Sequence, residues 1–229
     1  MSKAKAKNSA EEMSSPTSVD QLHFRVLLLD DEEGAQVVLR GAFERLDGVV
    51  LDEVTCCATC GEALGALDDH VYDLAVLDYH LKGETSEALI ERLAGCPAAP
   101  PVIAIASAGD AYLSAALTRA GAHRYLEKSD IDSPRFEEAV HSTVQFGRER
   151  RKRLAQQDEA MQCLDELTPR EREVAHLISQ GLLSKQIAAQ LDCCTGTVNL
   201  HRSHLMHKTG SQSVADLVRL VLRAEPPIQ

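Results

Sequence analysis

The chain has 229 residues, enough for one large domain or two small ones, and is 44% hydrophobic but only 3% aromatic, so a core must be built from Leu, Val, Ile and Ala. No apolar run approaches the roughly 18 residues a membrane span needs and the polar N-terminus lacks a signal-peptide core, which excludes a membrane partner and points to the cytoplasm. The net charge of −11 excludes a generic nucleic-acid binder, but the acidity is local. Residues 23–147 hold 9 Lys and Arg against 22 Asp and Glu, residues 148–164 hold 5 against 3, and residues 165–229 hold 7 against 7. Such asymmetry suggests two domains with different partners.

Residues 1–22 are rich in Ser, Lys, Ala and Glu without apolar periodicity and read as a disordered tail. Short apolar runs then recur at Val26–Leu29, Val49–Val54, Leu74–Leu77, Val102–Ala106 and Arg124–Leu126, with starts 23, 25, 28 and 22 residues apart. Helix-like stretches at 33–46, 60–69, 84–94 and 110–120 separate them. Buried strands alternating with amphipathic helices predict an α/β domain over 23–147, a five-stranded doubly wound parallel sheet covered on both faces. Ligands of that architecture bind at the carboxyl ends of the strands.

A fifth helix is expected from Pro134, after Ser133. It can run on into the basic stretch Arg148–Arg153, which reads as a solvated linker helix, the alternative being an arm that contacts phosphates. Residues 148–164 are taken as the linker and 165–229 as an all-helical unit. The seven cysteines read mostly as small buried hydrophobes in a reducing cytosol, although Cys57-x-x-Cys60 also has the form of a redox or metal motif.

Placed on this frame, Asp30 and Asp31 end the first strand, Asp78 the third, Ser107 the fourth and Lys128 the fifth. Each acid alone could be a helix cap, and Asp30-Asp31-Glu32-Glu33 could be only an acidic first turn. Together, three carboxylates at one sheet edge repel one another unless a hard divalent cation such as Mg²⁺ is bound. The constellation, with Gly121-Ala122-x-x-Tyr125-Leu126-x-Lys128, resembles the receiver domains of two-component response regulators.

That resemblance implies that Asp78 accepts a phosphoryl group from a sensor histidine kinase. It implies that Asp31 and Asp78 hold Mg²⁺, helped by the backbone carbonyl of His80, with Asp30 acting largely through water. It further makes Lys128 and Ser107 the partners of the phosphoryl group, and Ser107 and Tyr125 the switch. The only catalysis implied is the chain's own phosphorylation and slow dephosphorylation, so it is not read as an enzyme. The sequence departs from the family at Leu81 and Lys82, where Met-Pro or Leu-Pro is usual, at Ser86 in place of a Gly, and at Ser129 in place of the Pro after Lys128.

The stretch from Leu167 to Glu171 opens a helix, with Thr168 as cap, Pro169 at its first position and Glu171 closing a capping box. Gly181 stops it; a short helix at Ser184–Leu191, a tight turn and a helix at Gly196–Lys208 make a helix-turn-helix. After Asp192 this last region is free of acids and carries Arg202, Lys208 and three histidines. A helical protein-interaction module is the alternative.

Leu167–Glu171, Gly181-Leu182, Lys185-x-Ile187-Ala188, Thr197-Val198-x-x-His201-Arg202, Lys208 and Leu217–Arg219 resemble the output domain of the LuxR/FixJ (NarL) type. Double-stranded DNA is the partner implied. Val198 and Leu205 should face the core, Asn199, Leu200 and Ser203 the bases, and Lys185, Thr197, Arg202 and Lys208 the phosphates. Here Asn199 and Ser203 stand where the family often has Lys, and Cys193-Cys194 where it has Ile-Ser. Thr195 is expected to cap the helix in place of Cys194, and redox control at this cysteine pair is a further alternative. The reading is a phosphorylation-controlled transcription factor that dimerises when phosphorylated. Its rivals are an unphosphorylated constitutive regulator and an RNA-binding antiterminator.

Overall fold

The computed structural model describes residues 22–107 and 111–225. The expected tail lies outside the described residues except for Leu22, which opens β1 (Leu22–Leu29). The N-terminal unit follows with α1 (Glu33–Glu44), β2 (Val49–Cys57), α2 (Cys60–Asp69), β3 (Leu74–Asp78), α3 (Glu87–Ala94), β6 (Val102–Ala106), α4 (Ala111–Ala120) and β7 (Arg124–Glu127). Five of its strands form one parallel sheet in the order β2-β1-β3-β6-β7. Every residue of β3 and β6 is buried, as continuous apolar runs require when helices cover both faces.

Two apolar layers flank the sheet. Phe24, Phe43 and Phe136 form edge-to-face contacts on one side, and Tyr72, Ile90 and Leu117 pack on the other. At Gly121 (φ +112°) a Cβ would stand 2.2 Å from the Cβ of Ala94, so the α4–β7 turn passes α3 at a distance only glycine allows.

Three elements differ from expectation. Residues 84–86 do not begin α3. Instead β4 (His80–Leu81) and β5 (Glu84–Thr85) form a short antiparallel hairpin turning at Gly83, and Ser86 precedes the helix. The segment 156–164, expected as the end of a linker that could be helical, is helical, and two of its side chains join the second core. α5 runs unbroken over Pro134–Asp165, and Ala160 and Leu164 are buried with Val174, Ile187, Val198, Leu205 and Leu217. The third difference is the cap of the helix ending at Lys208, where Cys194 takes the N-cap position and Thr195 is already helical.

The start of α5 follows its local signals, since Ser133 Oγ accepts from Arg135 N–H and Pro134 occupies the first turn. Its basic stretch is fastened to the N-terminal unit. Arg148 donates to the carbonyl of His23, Arg150 to that of Ala99, and Arg151 pairs with Asp73 and donates to the Tyr72 carbonyl at 3.2 Å. Beneath them a Cβ on Gly147 would meet the Pro101 ring at 2.8 Å. Three arginines of the presumed solvated run are thus structural clamps.

The C-terminal unit continues with α6 (Pro169–Ser179), α7 (Ser184–Gln190), α8 (Thr195–Lys208) and α9 (Val214–Ala224). α9 packs on both α5 and α6, and α8 on α6 and α7.

Candidate functional site

Strand register brings the acids together. Leu29 pairs with Leu77 and Asp78 with Ile105, while Ala106 pairs with Glu127, so Asp30, Asp78, Ser107 and Lys128 all follow or end strands at one edge. Carboxylate oxygens of Asp30, Asp31 and Asp78 lie within 4.8 Å of one another. Asp30 is 0% and Asp78 4% exposed, so two of the three charges are nearly out of solvent.

Lys128 Nζ bridges the buried pair, 2.7 Å from Asp78 and 3.2 Å from Asp30. Burial pushes the Asp78 carboxyl above its ordinary value, against the opposing pull of Lys128. For Lys128 burial works the other way, but Asp78 and Asp30 outweigh it and hold the ammonium above its ordinary value. The backbone also contributes, with Glu32 N–H donating to Asp30 at 2.9 Å and His80 N–H to Asp78 at 3.4 Å. One ammonium between two carboxylates, with a third acid adjoining, leaves a deficit of positive charge in a low-dielectric pocket. Such oxygen-only ligands at this spacing fit a small hard cation.

Ser107 is exposed just past β6, and residues 108–110 lie outside the described residues. Tyr125 is half-buried in β7 opposite Ala104. The Lys128–Ser129 peptide is trans, and Lys128 opens a 3₁₀ turn ending at Asp130. Sequence reasoning missed Lys82, whose Nζ lies 3.4 Å from Asp31; its departure from the usual Pro was the only signal. Cys57 and Cys60 are free thiols pushed up to about 11, in both chiefly by burial and then by Glu62 and Glu84 respectively, which disfavours thiolate chemistry there.

In the C-terminal unit Val198 and Leu205 are wholly buried, whereas Asn199, Leu200 and Ser203 are exposed on the opposite face of α8. Leu200 is 55% exposed, an apolar side chain offered to solvent beside polar neighbours. Lys185 is exposed, and Thr197 and Arg202 are half-buried. Lys208 is already engaged, because its Nζ lies 2.7 Å from the buried Glu171 carboxylate. Glu171 also accepts from Thr168 N–H at 2.9 Å while Thr168 Oγ1 accepts from Glu171 N–H, the capping box expected. Lys208 and these backbone bonds draw the Glu171 carboxyl down to about 2. At the other end of α8 the Cys194 thiol stands 3.1 Å from Thr197 Oγ1, and that contact lowers its pKa.

A doubly wound five-stranded sheet with an acid pocket at its carboxyl edge defines a receiver, and the helices behind it a helix-turn-helix unit. Comparison with known proteins agrees: residues 26–141 match the response regulator receiver domain and residues 165–221 the bacterial regulatory proteins of the luxR family. Nodulation protein W of Bradyrhizobium diazoefficiens is 32% identical over 82% of this chain and 74% of its own length. FixJ, a transcriptional regulatory protein of the same species, is 27% identical over 70% of this chain and 78% of its own. Among solved structures, response regulator StyR superposes with a TM-score of 0.68 at 29% identity, covering 86% of this chain and 97% of that one. The chain belongs to the response-regulator family, with a receiver domain and a LuxR-type DNA-binding domain of the two-component signalling kind. Both matched families are regulatory, and no described helix is long and apolar enough to cross a membrane.

Proposed function

We propose that Asp78 is the phosphoacceptor of this regulator, charged by a sensor histidine kinase, and that phosphorylation controls DNA binding through α8 in the cytoplasm. The observation that carries the reading is the triad Asp30, Asp31 and Asp78 within 4.8 Å, with Lys128 at 2.7 Å from Asp78. Asp31 and Asp78, with the His80 carbonyl, would hold Mg²⁺, and Asp30 would act through water. When bound, the ion supplies positive charge against the developing charge of phosphoryl transfer.

The protein's own part is positioning. β3 presents the Asp78 carboxylate at the pocket's edge, and Lys128 can release it to pair with the new phosphoryl oxygens. Ser107 is the short donor that follows those oxygens, and Tyr125 the side chain that responds on the adjoining strand. In the output unit Asn199, Leu200 and Ser203 face the bases, while Lys185, Thr197, Arg202 and Lys208 contact phosphates, Lys208 sharing its ammonium with Glu171. Dimerisation on phosphorylation would set two copies of α8 on half-sites about one helical turn apart.

The test is incubation of the full chain with a small-molecule phosphodonor and Mg²⁺, followed by intact-mass measurement. Uptake of one acid-stable, base-labile phosphoryl group is expected, and uptake that persists in Asp78→Asn would overturn the assignment.

A further inference from the structure

The hairpin of β4 and β5 is anchored at its root. Leu81 is buried in the receiver core, His80 packs edge-on to Tyr79 with ring centroids 4.6 Å apart, and Glu84 accepts from Cys60 N–H at 3.1 Å. Gly83, at φ +85°, closes the turn, and Lys82 projects from it with its side chain 82% exposed. Even so its ammonium returns to the pocket, 3.4 Å from Asp31 Oδ2. Asp30 and Asp78 share Lys128, so the third carboxylate of the cluster has a lysine of its own.

From this we infer that Lys82 is a tethered competitor of the divalent cation: it neutralises Asp31 while the ion is absent, and the ion must displace it to bind. The inference rests on the reading of Asp31 as a metal ligand. Three carboxylates and two ammoniums leave the cluster at −1, and a dication arriving with both lysines in place would make it positive. Lys82, the exposed partner, is the one that can leave for water without stranding a buried charge, whereas Lys128 cannot. An ion pair with an exposed partner is worth about 0–1 kcal/mol, so its competition is bounded at roughly fivefold in affinity. Because Lys82 is solvated, the effect must also shrink with salt.

The experiment is calorimetric titration of Mg²⁺ into the unphosphorylated full chain, at about 0.01 M and about 0.15 M ionic strength, where the screening length falls from ~30 to ~8 Å. Lys82→Ala and Lys82→Gln should bind Mg²⁺ about two- to fivefold more tightly than the wild type at the lower salt, with a smaller gain at the higher. Lys82→Arg, which keeps the charge, should stay near the wild type. Unchanged or weaker binding in both neutral variants, with the wild type binding and Asp31→Asn not, would overturn the role of Lys82 alone. Absence of Mg²⁺ binding in the wild type would overturn the metal reading and the competition together. Circular dichroism of each variant separates these outcomes from misfolding, and the two neutral side chains guard against a local effect of either.

Discussion

Each half of the molecule holds a buried carboxylate against a lysine, and the two pairs have opposite character. In the C-terminal unit Glu171 accepts from Thr168 N–H within its capping box and pairs with Lys208, so pairing outweighs burial and its carboxyl falls to about 2. In the receiver Asp78 also has a lysine at 2.7 Å, but Asp30 shares that lysine and burial dominates, so its carboxyl rises instead. A carboxylate given all its partners is a structural rivet, and one that must share them is open to a further cation. The same pair chemistry fixes a carboxylate at one end and, on the function proposed above, leaves one open to reaction at the other, decided by how many acids compete for each ammonium.

The sharpest way to test the contrast is Asp78→Asn, which should abolish phosphoryl uptake completely while leaving the thermal midpoint unchanged or raised, because it removes a charge from an overfilled pocket. A marked fall in midpoint, read by circular dichroism, would show that the receiver pair is structural after all. Next in size, Leu164→Ala should cost the C-terminal unit about 2–5 kcal/mol, the usual range for a buried leucine. A fragment of residues 155–229 should therefore fold and bind DNA, whereas residues 165–229, lacking Ala160 and Leu164, should unfold at lower denaturant. Equal midpoints would place the domain boundary at 165.

Glu171→Gln should destabilise by about 1–2 kcal/mol, the scale of losing a helix cap. The sign of its pH dependence follows from the lowered value. The stabilisation is fully present above the ordinary carboxyl value of 4.5 and is lost as pH falls toward about 2, so the wild type should lose stability over that window and the variant should lose less. Parallel acid limbs in urea titrations would remove Glu171 from the account. Smallest in its effect on folding, Lys185→Ala should leave stability unchanged and lower the salt slope of DNA binding by about 1, with equal losses on specific and random duplexes. Lys208→Ala, by contrast, should show in both stability and binding.

The strands and most helices were legible because their signals are local: buried runs, Pro134 after Ser133, and Thr168 with Glu171. The gathering of Asp30, Asp78 and Lys128 at one edge was legible too, since parallel order places every strand's end on the same side. What escaped depended on where side chains travel. Nothing in Arg148 or Arg151 tells that they fold back onto the carbonyl of His23 and onto Asp73. Lys82 was visible only as a residue where proline is usual, not as the partner of Asp31. Lys208 was assigned to DNA by position, and its tie to Glu171, 37 residues away, is a tertiary fact. The span 156–164 reads as polar connector because only Ala160 and Leu164 face the core, too sparse a stripe to announce a buried helix.

α5 gives the molecule a shaft. Its 32 residues extend about 48 Å at 1.5 Å per residue, with Phe136, Val140 and Val144 seated in one core and Ala160 and Leu164 in the other. No glycine or proline interrupts the stretch between Gly147 and Asp165, so this joint has no bearing on which one body could swivel freely. Torque applied near Pro134 would arrive at Leu164 as rotation, with little lost to slack along the way. One uninterrupted helix seated in two cores ties the orientation of each unit to the other, and the arginine clamps at 148, 150 and 151 fix how the receiver end of the shaft is held.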